Sequence, residues 1–261
     1  MRSPASGLLT ATTLKLHHRS VKKSLLLVPG LLCDDAVWAS QTAALADLAA
    51  VRVFNNGGID SLGALAESII AHAPERFALA GHSMGGRIAL EVVRRVPERL
   101  IGVALLDTGY EPLAAGEAGE REAAGRYSLL ATARRDGMRA MARAWVQGMV
   151  HPRRRGDEQL IEPILDMFER HTPDLFAMQI KALLNRPNAT SVVSGLHCPT
   201  LVLCGREDAW APSSRHEAMA GMIRKATLEI IPECGHMAPM ERPELVTTAL
   251  RKWLEPILSL G

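Results

Sequence analysis

The sequence predicts an α/β protein with a mostly parallel central sheet flanked by helices. Short, continuous apolar runs of strand length recur along the chain, segments with helical periodicity lie between them, and the connections are short. Strands that are buried on both faces of a parallel sheet have such continuous apolar runs. The alternation is interrupted once, between about residues 110 and 196, where helical periodicity continues without a good strand.

The first part of the chain supplies four predicted strands, each a short apolar run: 24–28, 51–54, 77–80 and 100–106. Three predicted helices alternate with them, at about 36–50, 61–73 and 87–96. Ser61 is a plausible N-cap of the second helix. Pro74 and Pro97 end the second and third helices, because a proline disfavours helical geometry in the residue before it.

The sheet pattern resumes after the interruption. We predict strands at 200–204 and 227–231 and helices at about 213–223 and 243–258. The expected organisation is therefore a core domain formed by residues 1–109 and 197–261, with a helical cap, or lid, inserted at 110–196.

Composition excludes several classes of protein. The 261 residues are 48% hydrophobic and 22% charged, which is ordinary globular usage and argues against disorder and coiled coil. The net charge is only +2 and the basic residues are scattered, so no nucleic-acid partner is expected. The first 20 residues lack the apolar run of a signal peptide and no 18-residue apolar stretch occurs, which predicts no membrane partner and a cytoplasmic location.

The four cysteines form no CxxC pair and have no metal-ligand spacing with histidine. We therefore expect reduced thiols, no metal site and no organic cofactor. The oligomeric state is left open.

A Gly-x-Ser-x-Gly motif, GHSMG at residues 81–85, lies between the third predicted strand and the third predicted helix. Its glycines permit a tight turn that exposes the Ser83 hydroxyl above the carboxyl ends of the strands. A hydroxyl nucleophile needs a base that is itself oriented by a carboxylate. Asp208 and His236 each follow a late strand, so both are predicted at the same edge of the sheet. The sequence thus predicts a Ser83–His236–Asp208 catalytic triad.

Two neighbouring residues need separate interpretation. Asp107 follows the strand at 100–106 and is the alternative triad acid, although Asp208 is favoured. His82 is expected to point away from the site on the strand side of the turn and to be structural.

These motifs, in this order, resemble the α/β-hydrolase fold superfamily, of the serine esterase, lactonase and C–C bond hydrolase type, over about residues 24–258. The resemblance implies that the backbone amides of Leu31 and Met84 form an oxyanion hole. Pro29 stands where such proteins usually carry a histidine, a departure with little consequence because the donor is a backbone amide. Trp38 is expected to pack this loop in place.

The resemblance implies a carboxylesterase that cleaves an ester, or a related lactone or thioester, of a small to medium hydrophobic substrate through an acyl-enzyme on Ser83. A C–C bond hydrolase or enol-lactonase of aromatic degradation is the alternative within the same chemistry. A small-molecule receptor and a cofactor-free non-hydrolytic enzyme are alternatives of other classes.

Apolar residues of the cap and of the triad loops are candidates for substrate binding: Trp145, Met149, Phe168, Trp210 and Met237. Arg126 or Arg143 could bind a substrate carboxylate. The chain has only ten aromatic residues but eleven methionines, which predicts an adaptable, methionine-rich pocket lining. The methionines concerned are Met84, Met138, Met141, Met149, Met167, Met178, Met237 and Met240.

Overall fold

The computed structural model describes residues 22–259, so the expectation about a signal peptide in the first 20 residues lies outside the described part. Six strands form one sheet in the order β2-β1-β3-β4-β5-β6, and every neighbouring pair is parallel. The strands are β1 (Ser24–Val28), β2 (Ala50–Val53), β3 (Phe77–His82), β4 (Leu100–Leu106), β5 (Thr200–Gly205) and β6 (Ala226–Ile231). The predicted α/β fold with a mostly parallel sheet is confirmed.

The helices cover the sheet and fill the long connection between β4 and β5. They are α1 (Ala39–Leu45), α2 (Leu62–His72), α3 (Met84–Arg95), α4 (Glu117–Asp136), α5 (Met138–Trp145), α6 (Glu158–Glu169), α7 (Pro173–Leu184), α8 (Thr190–Ser194), α9 (Ser213–Met222), α10 (Ala238–Glu241) and α11 (Pro243–Ser259).

Burial explains why the central strands are continuous apolar runs. Every residue of β3 and of β5 is buried, because helices cover both faces of the sheet. The edge strand β2 alternates between exposed and half-buried residues, and β6 is largely half-buried. In the strand order β3 has a neighbour on each side, so Ser83 directly follows a strand in the buried interior of the sheet.

One helix is shorter than the sequence suggests. The helix predicted at 36–50 is a 3-10 turn at Asp35–Trp38 followed by α1, which ends at Leu45. The amide of Ala50 already donates to the Lys23 carbonyl at 3.0 Å, so the chain has entered the sheet by that residue. By contrast, α2 begins where predicted, and the Ser61 side chain accepts a hydrogen bond from the Ala64 amide.

The segment 110–196 contains α4 to α8 and lies between β4 and β5. Ion pairs tie its helices to one another: Arg139 of α5 contacts Glu162, Asp166 and Glu169 of α6. The assignment of this segment as a separate cap domain stays a prediction.

None of the helices formed by residues 22–259 combines the length and apolarity needed to cross a bilayer. The four cysteines all fall within this range and are free thiols.

Candidate active site

The turn between β3 and α3 presents Ser83 in a strained conformation. Its φ of 54° and ψ of −116° lie outside the regions that L-residues ordinarily adopt, a strain of about 1–3 kcal/mol that the surroundings must sustain. The two motif glycines make the turn feasible. A Cβ at Gly81 would lie 2.3 Å from the Gly85 carbonyl oxygen, and a Cβ at Gly85 would lie 2.1 Å from that of Val28. Side chains at these positions would force the strand and the helix apart.

The structure brings the three predicted triad residues together. Ser83 Oγ lies 2.8 Å from His236 Nε2, and His236 Nδ1 lies 2.7 Å from Asp208 Oδ2. The carboxylate accepts from Nδ1, which leaves Nε2 free to accept the proton of the serine hydroxyl. Each residue follows a different strand (β3, β5 or β6), and these strands share the edge at which they end.

Asp208 is held as an anion. Its Oδ1 accepts the backbone amides of Trp210 and Ala211, both at 2.9 Å. Burial by itself would raise the pKa of this carboxyl, but the charge and hydrogen bond of His236, together with the two amides, lower the pKa below its usual value. A carboxylate that stays ionised can orient the imidazole and stabilise its cation.

The alternative acid, Asp107, does not contact His236. It follows β4 with a φ of 47°, and its Oδ1 accepts the Gly205 amide at 2.9 Å. Its side chain is fully buried, and burial, followed by the charge of Asp208, raises the pKa of Asp107 well above the usual value. The geometry therefore favours Asp208 as the residue that orients the imidazole.

His82 does not point away from the site, since it lines the cavity, but its contacts agree with the structural role expected for it. Its Nε2 lies 2.8 Å from the carbonyl oxygen of His236, and the two imidazole rings are 5.5 Å apart. Because the partner is a carbonyl, Nε2 must carry the proton and donate it. Burial, followed by the His236 charge, lowers the pKa of His82 to about 3, so its ring is neutral. His82 thus supports the backbone of the loop that carries His236.

Sequence reasoning missed a second support of that loop. Glu241 in α10 is buried, and its two carboxylate oxygens accept the amides of Gly235 and His151, both at 2.8 Å. The His236 amide also donates to the Met149 carbonyl at 2.6 Å. The histidine loop is therefore fixed directly to residues 149–151 of the segment between β4 and β5. A single glutamate in a short helix carries no local sequence signal for this role.

The two residues expected to supply oxyanion-hole amides both lie at the cavity that Ser83 lines. Leu31 and Met84 both line the cavity next to Ser83, and Met84 is the first residue of α3, where helix amides lack intrahelical acceptors. Among the residues that the structure describes, no acceptor takes either amide. Trp38, fully buried and edge-on to His82 with ring centroids 6.3 Å apart, packs beneath this loop.

A cavity of about 1020 Å³ lies above Ser83 and His236. Four of the five predicted substrate-binding residues line it: Trp145, Met149, Trp210 and Met237. Trp145 and Trp210 stack with their ring centroids 5.4 Å apart, and Trp210 lies 4.9 Å from the His236 ring. The two tryptophans form an aromatic wall beside His236.

Phe168 is the exception, since it is not among the described residues that line the cavity. It is almost fully buried and packs behind Trp145, with ring centroids 5.5 Å apart. Phe168 thus supports the aromatic wall from the outside.

The predicted methionine-rich lining is also wrong for most of its members. Met84, Met149 and Met237 line the cavity, whereas the other five do not belong to its lining within residues 22–259. Met141 and Met167 are fully buried in helix packing. Met178 lies next to Gly58, where an added Cβ would come within 3.0 Å of the Met178 methyl carbon.

Of the two arginines considered for carboxylate binding, Arg126 lines the cavity and Arg143 does not. Arg143 is half-exposed and pairs with Glu162 at 2.9 Å. Four further arginines line the cavity without any sequence signal that singles them out: Arg87, Arg121, Arg186 and Arg215.

Comparison with known proteins agrees with this architecture. The model of the alpha/beta hydrolase family matches residues 25–249. The chain is 30% identical to a thermophilic esterase from Thermogutta terrifontis, solved with malate bound, with 91% of each chain covered and a TM-score of 0.80. It is 21% identical to the enol-lactonase from Burkholderia xenovorans LB400, over 91% of this chain and 93% of that one, again with a TM-score of 0.80.

A sequence relative of known activity is the 2-hydroxy-6-oxo-6-phenylhexa-2,4-dienoate hydrolase of Comamonas testosteroni, 25% identical over 83% of this chain and 71% of that protein. Other relatives are much longer. The chain covers 48% of the biotin biosynthesis bifunctional protein BioHC of Cellvibrio japonicus and 52% of an acetyltransferase component of the acetoin cleaving system of Pseudomonas putida. The chain belongs to the alpha/beta hydrolase family.

Proposed function

We propose that the protein is a serine hydrolase that cleaves a carboxylic ester through an acyl-enzyme on Ser83. The observation that carries this proposal is the continuous hydrogen-bonded chain from Ser83 Oγ through His236 to Asp208, at 2.8 and 2.7 Å, at the base of a large cavity. The 30% identity to an esterase over nine-tenths of both chains supports it.

The proposed reaction has two halves. Ser83 Oγ attacks the ester carbonyl while its proton passes to His236 Nε2, and the amides of Leu31 and Met84 stabilise the oxyanion. His236 then donates that proton to the leaving alcohol as the C–O bond breaks. A water molecule repeats these steps on the acyl-enzyme, with His236 again as the base, and releases the acid.

Residues 110–196 are proposed to act as a cap over the reacting carbonyl. This segment supplies Trp145 to the aromatic wall, and its residues 149–151 hold the His236 loop. A substrate with an apolar part next to Trp145 and Trp210 would bury that part against the wall.

The test is hydrolysis of 4-nitrophenyl butyrate by Ser83→Ala. We expect turnover to fall by a factor on the order of 10⁶, because the nucleophile is removed. Ser128→Ala, an exposed serine of α4, is the matched control and should behave as the parent protein. A fluorophosphonate should label the parent protein on Ser83 and leave Ser83→Ala unlabelled. Unchanged turnover by Ser83→Ala would refute the proposal.

A further inference from the structure

One part of the cavity lining is rich in arginine. Five arginines line the cavity: Arg121 and a group of four, Arg87, Arg126, Arg186 and Arg215. The acidic residues of the lining are Asp107, Glu111 and Glu122. Positive charges therefore outnumber negative ones in this part, which we call the arginine cluster and define by those four arginines. Guanidinium groups held close together repel one another unless anions lie between them.

Arg87 is the member closest to the nucleophile in the chain. It lies one helical turn after Ser83 on α3, where side chains four residues apart are neighbours, at roughly 5–6 Å between Cβ atoms. Its Nη1 donates to the Glu111 carbonyl at 2.8 Å. Within residues 22–259 it forms no ion pair with a carboxylate. Most of the donors of this guanidinium are thus left for another acceptor.

Gly109 allows the arginines to approach one another. A Cβ at this position would lie 2.7 Å from Arg87 Nη2 and 3.3 Å from Arg215 Cδ. Burial, followed by the charges of Arg186 and Arg215, lowers the pKa of Arg87 to about 9. The guanidinium is still charged at neutral pH, in a setting that disfavours its charge.

The other members of the cluster leave little carboxylate for Arg87. Glu122 is shared by Arg186, at 2.7 Å, and Arg126, at 2.9 Å. Arg186 is more than nine-tenths buried, and its Nε has no hydrogen-bond partner among the described residues. Glu111 is half-exposed and pairs with Arg215 at 3.1 Å. The buried guanidinium of Arg186 and the half-buried one of Arg87 therefore retain unused donors.

We propose that the arginine cluster binds a carboxylate group of the substrate, so that the ester cleaved at Ser83 carries a free acid. A planar carboxylate matches the paired donors of a guanidinium, and it would give Arg87 the negatively charged partner that the protein does not supply within residues 22–259. The placement of Arg87 one turn from Ser83 predicts a short spacer between the acid and the ester carbonyl. The aromatic wall of Trp145 and Trp210 then contacts the remainder of the substrate.

This inference rests on the proposed ester hydrolysis, and matched probes separate the two. The acyl-side pair is 4-nitrophenyl hydrogen glutarate and its methyl ester, and the alcohol-side pair is 4-butyryloxybenzoate and its methyl ester. We expect the parent protein to prefer the acid in at least one pair. Rates are taken above the uncatalysed background, and kcat/KM is compared within each pair.

Arg87→Gln should lower kcat/KM for the preferred acid about tenfold to hundredfold, because a charged hydrogen-bonded contact is lost. The kcat/KM for the matching methyl ester should change less than about twofold. Arg87→Lys should recover part of the preference. Arg143→Gln, which removes an arginine outside the cavity, is the control and should leave both rates unchanged. An equal loss for acid and methyl ester in Arg87→Gln would mean that Arg87 only supports the fold, and would overturn the proposal.

A binding measurement removes the dependence on turnover. Calorimetry on Ser83→Ala should detect glutarate, and adding Arg87→Gln should abolish the signal. Inorganic phosphate is the comparison anion, and tighter binding of phosphate than of glutarate would overturn the assignment to a carboxylate. No preference for the acid in either probe pair would overturn it as well, whereas failure of the Ser83→Ala hydrolysis test would overturn only the reaction.

Discussion

Asp208→Asn tests the proposed triad most directly, because the structure fixes which way the new amide must face. Asp208 Oδ1 accepts two backbone amides, from Trp210 and Ala211. The asparagine oxygen should stay there, since turning the amide would lose both hydrogen bonds and disfavour that rotamer by at least about 2 kcal/mol, roughly thirtyfold. Its NH₂ group then faces His236 Nδ1 in place of an acceptor.

The imidazole must respond by changing tautomer. Nδ1 becomes the acceptor, and Nε2 carries the proton that faces Ser83 Oγ, so His236 no longer serves as a base. We expect kcat for 4-nitrophenyl butyrate to fall by about 10⁴, with KM nearly unchanged because no substrate contact is lost. A variant that kept more than about a tenth of the parent kcat at neutral pH would refute this reasoning.

Asp107→Asn is the matched control for the same chemical change. Asp107 lies after the neighbouring strand, does not contact the imidazole of His236, and has a raised pKa that favours its neutral form, which asparagine resembles. We expect its kcat to fall less than about tenfold. A loss of 10⁴ in Asp107→Asn with near-normal turnover in Asp208→Asn would reverse the two roles.

Two further predictions concern stability. Glu241→Gln should lower Tm by roughly 2–12 °C at neutral pH, because one of the Gly235 and His151 amides then faces an NH₂ group and loses its acceptor; a Tm within 1 °C of the parent would contradict this. Burial raises the pKa of Glu122, but the hydrogen bond and charge of Arg186 with those of Arg126 lower it to about 2. The ionised Glu122 carboxylate therefore stabilises the fold above pH about 4.5, the pKa of this group in the unfolded chain. This stabilisation is lost as pH falls from 4.5 towards 2. The difference in urea midpoint between the parent and Glu122→Gln should shrink as pH is lowered from neutral to about 3, and a constant difference would contradict the assignment.

The sheet and the nucleophile turn could be predicted because their signals are local. Strands buried on both faces must be apolar throughout, so composition alone predicts β1, β3 and β5. Gly81 and Gly85 are required by close backbone contacts within a single turn, and such contacts leave a fixed spacing in the sequence.

The supports of the site could not be predicted, since they depend on contacts between distant parts of the chain. Glu241 contacts His151 across 90 positions, and Arg186 reaches Glu122 across 64. For the same reason the sequence favours Asp208 over Asp107 without excluding Asp107. Both follow strands at the correct edge of the sheet, and only the distance to His236 Nδ1 separates them.

Composition was misleading about the pocket because it counts residues without placing them. Four of the ten aromatic residues form one group, in which the Trp145 ring lies 5.4–5.8 Å from the rings of Trp210, Phe168 and Phe176. A 4% aromatic content is therefore sufficient for an aromatic wall when the rings are concentrated at one place. Met141, Met167 and Met219 are instead fully buried, where an unbranched, flexible side chain can fill irregular gaps. Rings that are packed on one another cannot adapt their shape as a methionine surface can, so the fit of a substrate beside His236 depends on how its apolar part matches a fixed wall.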